Sequence, residues 1–150
     1  MSKDKLKAVR DQIDALDQQI QALINERAKC AKEVAAIKNG EGGSFYRPER
    51  EAEILRKVLA RNTGFLSGEE MARLFREIMS ACLALEQLLN IAYLGPEGTF
   101  IQVAVLKHFG HSVQTALRMV IDEIFREVEA GASQYGVVPV ENSTESVITH

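Results

Sequence analysis

Two positive charges stand where apolar residues are expected in the first forty residues. Apolar side chains recur every three or four positions from residue 6 to residue 37, and Arg27 occupies one of these positions. An unpaired guanidinium among apolar neighbours costs several kcal/mol, so an anionic group is expected to meet it. Lys38 lies at almost the same azimuth on a helix and about 16 Å further along its axis. Together the two cations indicate a site for a small dianion.

Other interpretations of these charges stay open. Arg27 can set the register of a helix pair, or it can pair with Glu26 or Glu33 on its own helix. Arg10 lies about 100° around the helix from Arg27, which directs it toward a neighbouring chain rather than the same pocket. Taken alone, Arg10 is better explained as a solvated surface arginine.

Charged residues also accompany two shorter helical patterns. Arg50 and Glu51 begin a face that continues into apolar residues, and Glu86 follows Cys82 at a spacing of four. Glu86 is either a solvent-facing glutamate or a buried carboxyl paired with Lys38 or Arg50. No nucleophile with a base, metal cluster or nucleotide loop accompanies these groups in the sequence. The set therefore favours orientation and charge stabilisation over covalent chemistry, with no cofactor.

Three helices are predicted to position these residues. The 3-4 spacing predicts a first helix of about 34 residues, roughly 50 Å long. Pro48 begins a second helix that ends near residue 62, and Ser67 begins a third, with Glu70 at the capping-box spacing, that continues to Leu89. Because two short helices cannot cover the long one, the pattern predicts a dimer in which the long helices of two chains pack together.

The composition changes near residue 90, where we predict a domain boundary. Residues 1–90 contain 15 basic residues, 14 acidic residues and three valines, whereas residues 91–150 contain 3, 7 and nine. The second part alternates predicted strands and helices: strand 91–94, helix 99–109, strand 112–117, helix 121–130 and strand 135–140. This βαβαβ order predicts a parallel α/β sheet, which at this size needs a further surface to pack on.

The composition of the whole chain excludes several classes of protein. It has 150 residues, of which 46% are hydrophobic and 26% charged, with a net charge of -3, which argues against disorder and against nucleic-acid binding. No signal peptide or membrane span is visible, so a cytoplasmic protein with no membrane partner is predicted. Cys30 and Cys82 lie in helical patterns without metal-type spacing, which predicts reduced, buried thiols.

The order of the charged residues resembles the all-helical chorismate mutase family over nearly all of residues 1–90. The resemblance is carried by Arg10, Glu26-Arg27, Lys38, the run Arg47-Pro48-Glu49-Arg50-Glu51 and the run Met79-Ser80-Ala81-Cys82-Leu83-Ala84-Leu85-Glu86. It implies an intertwined helical homodimer of three-helix chains with two sites. Each site would convert chorismate to prephenate by a pericyclic rearrangement.

The resemblance also implies roles for individual residues. Arg27 and the partner subunit's Arg10 would hold the two substrate carboxylates, and Lys38 would donate to the ether oxygen and one carboxylate. Arg50 and Glu51 would support and bind the hydroxyl side of the substrate. Two guanidinium groups can fix both carboxylates, and positive donors at the ether oxygen stabilise the charge that builds there.

Three positions depart from the family pattern. Cys82 falls where better-known members have Ser, Glu86 where many have Gln, and Arg47 at the position of a family Asp, which leaves the role of Arg47 open. Cys82 and Glu86 are still predicted to bind substrate, and Lys38 and Glu86 to be catalytic. Glu86 would act either as a protonated donor to the ether oxygen or as an ionised partner that orients Lys38.

Residues 91–150 resemble the opening of a prephenate dehydratase domain. The resemblance is carried by the turn Gly95-Pro96-Glu97-Gly98-Thr99-Phe100 and the run Tyr135-Gly136-Val137-Val138-Pro139-Val140-Glu141-Asn142-Ser143-Thr144-Glu145. Taken alone, the turn is either a carboxylate site or only a tight connection. With the helical part, the chain is similar to the bifunctional chorismate mutase/prephenate dehydratases of phenylalanine biosynthesis.

The chain stops before the family's Thr-Arg-Phe catalytic motif and its phenylalanine-binding domain. We therefore expect a chain truncated within the dehydratase domain, with dehydratase activity only in a longer relative. Phenylalanine is expected to leave the mutase unaffected. The alternative to the enzyme is a non-catalytic structural or regulatory helical dimer. Such a dimer has no reason to keep five charged residues directed at one site, namely Arg27, Lys38, Arg50, Glu51 and Glu86.

Overall fold

The computed structural model describes residues 1–39, 46–96, 99–141 and 144–149, which belong to two units, Met1–Gly43 and Ser44–His150. The described part of the first unit is one helix, α1 (Ser2–Asn39), of 38 residues. Its sequence contains neither Gly nor Pro, so nothing interrupts the helix. No helix in the described ranges is both long enough and apolar enough to cross a membrane.

The apolar stripe of α1 is only half covered. Six of its residues are between 49% and 68% exposed, namely Leu6, Val9, Ile13, Leu16, Ile20 and Leu23. The predicted long helix is therefore present. The first unit has no second element among the described residues that could bury this stripe. Cys30 is also exposed on α1, so the prediction of a buried thiol is wrong for Cys30. The prediction holds for Cys82, which is 4% exposed.

Two helices open the second unit where the sequence predicts them. Helix α2 (Pro48–Arg61) has Pro48 in its first turn, where its missing N–H costs no hydrogen bond. In helix α3 (Gly68–Ala84), the Ser67 hydroxyl accepts a hydrogen bond from the backbone N–H of Glu70 at 3.1 Å. The capping interaction predicted from the sequence is therefore confirmed.

Helix α3 ends earlier than its apolar stripe predicts. It stops at Ala84, and the backbone N–H groups of Glu86 and Gln87 both donate to the Leu83 carbonyl, at 2.9 and 2.8 Å. The chain then leaves the helix and inserts Leu89, which is 2% exposed, into the core beside the sheet. The prediction of a helix reaching Leu89 is wrong because this burial fixes a different backbone path.

The rest of the second unit confirms the predicted βαβαβ order. Its elements are β1 (Asn90–Leu94), α4 (Phe100–Phe109), β2 (Gln114–Arg118), α5 (Ile121–Glu129), β3 (Tyr135–Glu141) and β4 (Thr144–Thr149). The strand order is β2-β1-β3-β4, with the first three strands parallel and β4 antiparallel to β3. Strand β4 was not predicted, because its sequence has only two apolar residues and no alternation.

The sheet is covered on both faces by helices. On one face Ile91 and Tyr93 pack with residues of α4 such as Val105, and on the other Ala92 packs with Ile124 of α5. Alternate residues of a strand point to opposite faces, so β1 serves both cores. Helix α5 comes so close to β3 that a Cβ at Gly136 would lie 2.6 Å from a methyl group of Ile124.

The sheet also packs against the helices that precede it. The ring of Tyr46, just before α2, packs against Phe109 in a tilted arrangement and against Tyr135 edge to face, with centroids 5.8 and 5.3 Å apart. The Ser80 hydroxyl on α3 accepts from the backbone N–H of Ser112 at 3.2 Å. The further surface that the small sheet was expected to need is therefore supplied in part by its own chain, and a boundary at residue 90 stays a prediction.

Candidate active site

The two cations predicted on α1 lie on one face. The positions of this helix with reduced exposure are Arg27, Ala28, Ala31, Ala35 and Lys38. Ala35 is only 3% exposed, and the two cations flank it along the helix. Within the described residues neither cation forms a salt bridge, and the alternative pairing of Arg27 with Glu26 or Glu33 does not occur. Arg27 and Lys38 are therefore both available to an anion.

Arg10 stands apart from this pair. Its side chain is exposed on α1, and it forms no salt bridge with any residue that the structure describes. An exposed arginine fits both interpretations made from the sequence, a surface residue and a residue directed at a second chain. The role of Arg10 stays a prediction.

Arg50 and Glu51 at the start of α2 face different neighbours. The Arg50 side chain is 58% exposed, and its Nη1 lies 3.1 Å from Oε1 of Glu53. Glu51 is more enclosed, at 18% exposure, and its Oε1 lies 3.8 Å from Nη1 of Arg76 on α3. Successive helical residues are about 100° apart, which explains the divergence. Arg47, at the family's Asp position, is 45% exposed and lies 3.9 Å from Glu49.

The turn after α3 carries a carboxyl oxygen that none of the described residues satisfies. Oε1 of Glu86 is buried and has no hydrogen-bond partner among the described residues. Glu86 lies in the turn after the helix, four positions beyond the buried Cys82. This oxygen is not in solvent, and no salt bridge to Arg50 forms in the described part of the chain, while a pairing with Lys38 stays a prediction. A buried acceptor without a partner is costly, and a ligand that pairs with it would remove the cost.

Sequence reasoning missed a cluster around Arg76. Its Nη1 donates to the backbone carbonyl of His108 at 2.6 Å and approaches Glu51. The Tyr46 hydroxyl lies 3.5 Å from Nε2 of His108. Burial, reinforced by the Glu51 carboxylate, raises the pKa of Tyr46 well above its usual range. Burial, reinforced by the Arg76 guanidinium, lowers the pKa of His108.

A second set of contacts joins α3 to the turn after α4. Nδ1 of His111 lies 2.7 Å from Oε1 of Glu77, and the His111 backbone N–H donates to the other carboxylate oxygen at 3.1 Å. Burial opposes ionisation of Glu77, but the two hydrogen bonds from His111 outweigh it and lower the pKa of Glu77. The contacts span more than thirty positions in the chain, so local spacing could not reveal them. The one available signal is that Arg76, Glu77 and Ser80 share a stretch of α3 with polar side chains.

The turn before α4 is described in part. Thr99 precedes α4 as its N-cap residue, as predicted, but its side chain makes no capping hydrogen bond, and its hydroxyl oxygen is buried without a partner among the residues that the structure describes. Residues 97 and 98 lie outside the described residues, as do 142 and 143 of the second family run. In the ranges that the structure describes, no group of three or more His, Cys, Asp or Glu side chains is arranged to hold a metal ion.

Comparisons with known proteins divide the chain in two. A family model described as "Chorismate mutase type II" matches residues 9–87, and a model described as "Prephenate dehydratase" matches residues 91–150. A bifunctional chorismate mutase/prephenate dehydratase of Stutzerimonas stutzeri is 61% identical over 152 residues, covering 98% of this chain. The corresponding proteins of Pseudomonas aeruginosa and Aquifex aeolicus are 59% and 42% identical. The chain spans 42% of the length of each of these relatives.

Solved structures support the same assignment for the helical part. A chorismate mutase of Thermus thermophilus, in its form II structure, is 33% identical with a TM-score of 0.54, and the match covers 55% of this chain and 93% of that one. The form I structure of the same enzyme is 31% identical with a TM-score of 0.51. The family match covers more than half of the chain, and the order of charged residues agrees with it. The chain therefore belongs to the type II chorismate mutase family.

Proposed function

We propose that this chain catalyses the rearrangement of chorismate to prephenate, as a cytoplasmic homodimer without a cofactor. The family membership and the names of the relatives, which are chorismate mutases or bifunctional chorismate mutase/prephenate dehydratases, support this activity. Residues 91–150 match a prephenate dehydratase model, and no dehydratase activity is proposed for these 150 residues.

The observation that carries the proposal is the pair of half-buried cations on α1. Arg27 and Lys38 share one face, flank Ala35, and have no salt-bridge partner among the described residues. Partly dehydrated cations without a counter-ion attract an anion strongly, because less water screens the interaction. Chorismate carries two carboxylates, so it supplies the charge that these groups lack.

The reaction needs little more than a held geometry. One carbon–oxygen bond of the ether breaks while a carbon–carbon bond forms in the same molecule, so no proton donor, oxidant or second reactant is consumed. Arg27 of one subunit and Arg10 of the other would grip the two carboxylates and fold the side chain over the ring. Lys38 would stabilise the negative charge that develops on the ether oxygen in the transition state.

The residues of the second unit would complete the binding of substrate. Glu51, with Arg50 in support, would accept from the substrate's hydroxyl group. Glu86 would turn its unsatisfied buried oxygen toward the ether oxygen, and Cys82 would line the site beside it. A neutral, protonated Glu86 is the form that can donate a hydrogen bond there.

The proposed dimer is supported by the half-exposed stripe of α1. Six apolar residues that recur every three or four positions form a large uncovered surface for a chain of this size. Packing two copies together would remove this surface from water. A dimer would also bring the partner subunit's Arg10 to the site, which the assignment of Arg10 requires.

A matched pair of lysine variants tests the activity. Lys38→Met should abolish most of the mutase activity, measured as the decrease in the ultraviolet absorbance of chorismate. The negative charge that develops on the ether oxygen then has no cation beside it. Lys29→Met removes the same charge from an exposed position of the same helix and should leave the rate near that of the parent. An inactive parent chain that is a folded dimer would instead favour the non-catalytic helical dimer.

A further inference from the structure

Arg76 connects a predicted substrate-binding residue to the first helix of the α/β segment. Its Nη1 donates a short hydrogen bond of 2.6 Å to the backbone carbonyl of His108, in the last turn of α4. The same nitrogen lies 3.8 Å from Oε1 of Glu51. The side chains of Arg76 and Glu51 are 25% and 18% exposed, so water screens the pair only in part.

Further contacts join the end of α4 and the turn after it to α3. Carbonyls in the last turn of a helix lack intrahelical partners and carry partial negative charge, so His108 offers Arg76 a good acceptor. Gly110 follows at a φ of +77°, and a Cβ there would lie 2.5 Å from Cβ of Ser80 on α3. The backbone N–H of Ser112 donates to the Ser80 hydroxyl at 3.2 Å. These contacts fix the position of the carbonyl that Arg76 binds.

We propose that Arg76 is a positioning residue that orients Glu51 for substrate, with its own position fixed by the carboxyl end of α4. The inference rests on the proposed function, in which Glu51 accepts from the substrate's hydroxyl group. Through this contact the dehydratase-like segment contributes to the affinity of the mutase without touching chorismate.

The physical reason is the placement of one cation between two acceptors. The hydrogen bond to the His108 carbonyl fixes the position of the Arg76 guanidinium. The guanidinium in turn limits the directions that the Glu51 carboxylate can take. Without this cation, the mostly buried Glu51 carboxylate would lose the positive charge nearest to it while facing a substrate with two negative charges, and its orientation would be less restricted. The loss falls on binding in ground state and transition state alike, so KM should change more than kcat.

Three substitutions of Arg76 separate positioning from structure. Arg76→Met should raise the KM for chorismate about three- to tenfold with kcat within about twofold of the parent. Arg76→Lys, which keeps a cation that can reach both acceptors, should restore most of the affinity. The matched control is Arg73→Met, which removes an exposed ion pair with Glu70 from the preceding turn of α3 and should change neither constant. If the Met variant does not fold, Arg76→Gln keeps a donor for the carbonyl but no charge for Glu51 and gives the same test.

A double-mutant cycle shows whether Arg76 acts through Glu51. Glu51→Gln alone should raise KM, and adding Arg76→Met to it should raise KM by less than about twofold more, because the carboxylate to be oriented is gone. Additive effects of the two substitutions would overturn the proposal.

The role of α4 is tested from the far side of the contact with two glycines. Gly110→Ala should raise KM, because the new methyl group pushes the end of α4 away from Ser80. Gly131→Ala introduces the same strain at a φ of +80° with nothing within 4 Å of the new methyl group, and it should leave KM unchanged.

The outcomes keep the two proposals apart. A parent chain that leaves chorismate unchanged would overturn the proposed function, and this inference with it. An active parent in which Arg76→Met behaves like Arg73→Met, or in which the two glycine variants behave alike, would overturn the inference alone.

Discussion

Helix α1 and the sheet of the second unit use apolar residues in opposite ways. The stripe of α1 is about half exposed along its length, as at Ile13 with 49%, whereas Ile91 and Val105 in the sheet core are 0% exposed. Both segments consist of regular secondary structure, so the regularity of the backbone does not distinguish them. The sheet completes its core within its own unit, and the helix offers a face that only another surface can complete.

This difference predicts where each segment fails when it is altered. Substitutions in the sheet core should lower the free energy of unfolding, whereas substitutions on α1 should first change association. The charges follow the same division. Arg27 and Lys38 belong to the segment that needs a partner, so activity should depend on assembly. The contacts around Arg76 belong to the segment that buries its core within its own unit.

The largest effect is expected from a charge on the α1 stripe. Leu16→Glu should abolish the dimer and with it nearly all mutase activity, because a carboxylate cannot be buried between two helices. Sedimentation equilibrium at micromolar concentration, with the chorismate assay, measures both. Gln18→Glu adds the same charge on the opposite side of α1 and should leave the dimer intact. If the Leu16 variant were a compact, folded and active monomer, α1 would not need a second surface, and the comparison with the sheet would be wrong.

A cavity in the sheet core should cost stability rather than assembly. Ile91→Ala should lower the free energy of unfolding by about 3 kcal/mol, since it removes a fully buried side chain. Ile121→Ala makes the same change at a residue that is 40% exposed and should cost less than about 1 kcal/mol. Urea titrations of both variants provide the measurement. Equal costs would show that burial in the single chain does not govern stability here.

The clamp on the substrate should be sensitive to the shape of the cation. Arg27→Lys should lower kcat/KM about 100-fold with little change in the circular dichroism spectrum, because an ammonium cannot form two parallel hydrogen bonds to a carboxylate. Arg56→Lys, at an exposed position of α2, is the control and should have no effect. Unchanged turnover and affinity in the Arg27 variant would remove it from the site.

Local features of this chain could be predicted, and contacts between distant residues could not. The length of α1 follows from its spacing, and the Ser67 cap follows from the Glu70 three positions later. The end of α3 could not be predicted, because the burial of Leu89 in a core assembled with the sheet overrides its stripe. The contact of Arg76 with His108 spans 32 positions, so no local pattern encodes it.

The candidate site divides in the same way. Arg27 and Lys38 were predicted to share a face because their helix is regular, and they do. The divergence of Arg50 from Glu51 depends on where α3 places Arg76, which requires the fold. The unsatisfied oxygen of Glu86 likewise appears only once the turn after α3 is known.

Acid should loosen the α3–α4 contact by a moderate amount. The pKa of Glu77 is lowered in the fold, so its contribution to stability is present above its ordinary pKa and is lost as the pH falls through the lowered value. The lowered pKa of His108 has the same sign, since the neutral ring is the form that the fold favours. The free energy of unfolding should therefore fall modestly as the pH drops below the ordinary pKa values of these two groups, and solvent screening reduces the Glu77 part because its side chain is 35% exposed.

Urea titrations between pH 3 and pH 7, a range that brackets the ordinary carboxyl pKa, measure this loss. Glu77→Gln should lower stability at neutral pH and flatten the dependence on acid, whereas Glu69→Gln, at an exposed position of the same helix, should keep the parent's slope. If the Glu77 variant lost stability with falling pH as steeply as the parent, the pair of Glu77 with His111 would be excluded as the source of the acid dependence.

The smallest effect concerns Glu86, and it decides how this carboxyl serves the reaction. As the ether bond breaks, negative charge builds on the oxygen, and an ionised carboxylate beside it would oppose the change. The protonated acid can instead donate a hydrogen bond to it, so losing this donor should lower kcat/KM by a few-fold. The buried oxygen without a partner marks Glu86 as the group poised for this contact.

Two variants of Glu86 test this account against its rival. Glu86→Gln supplies a neutral donor of nearly the same shape, so its kcat/KM should stay close to that of the parent, while Glu86→Ala should lose activity. If Glu86 is instead an ionised residue that orients Lys38, the Gln variant should be impaired about as much as the Ala variant. Values of kcat/KM for the three proteins, measured at one pH, separate the two accounts. A Gln variant no better than the Ala variant would exclude the donor role, because the amide keeps a donor of nearly the same shape.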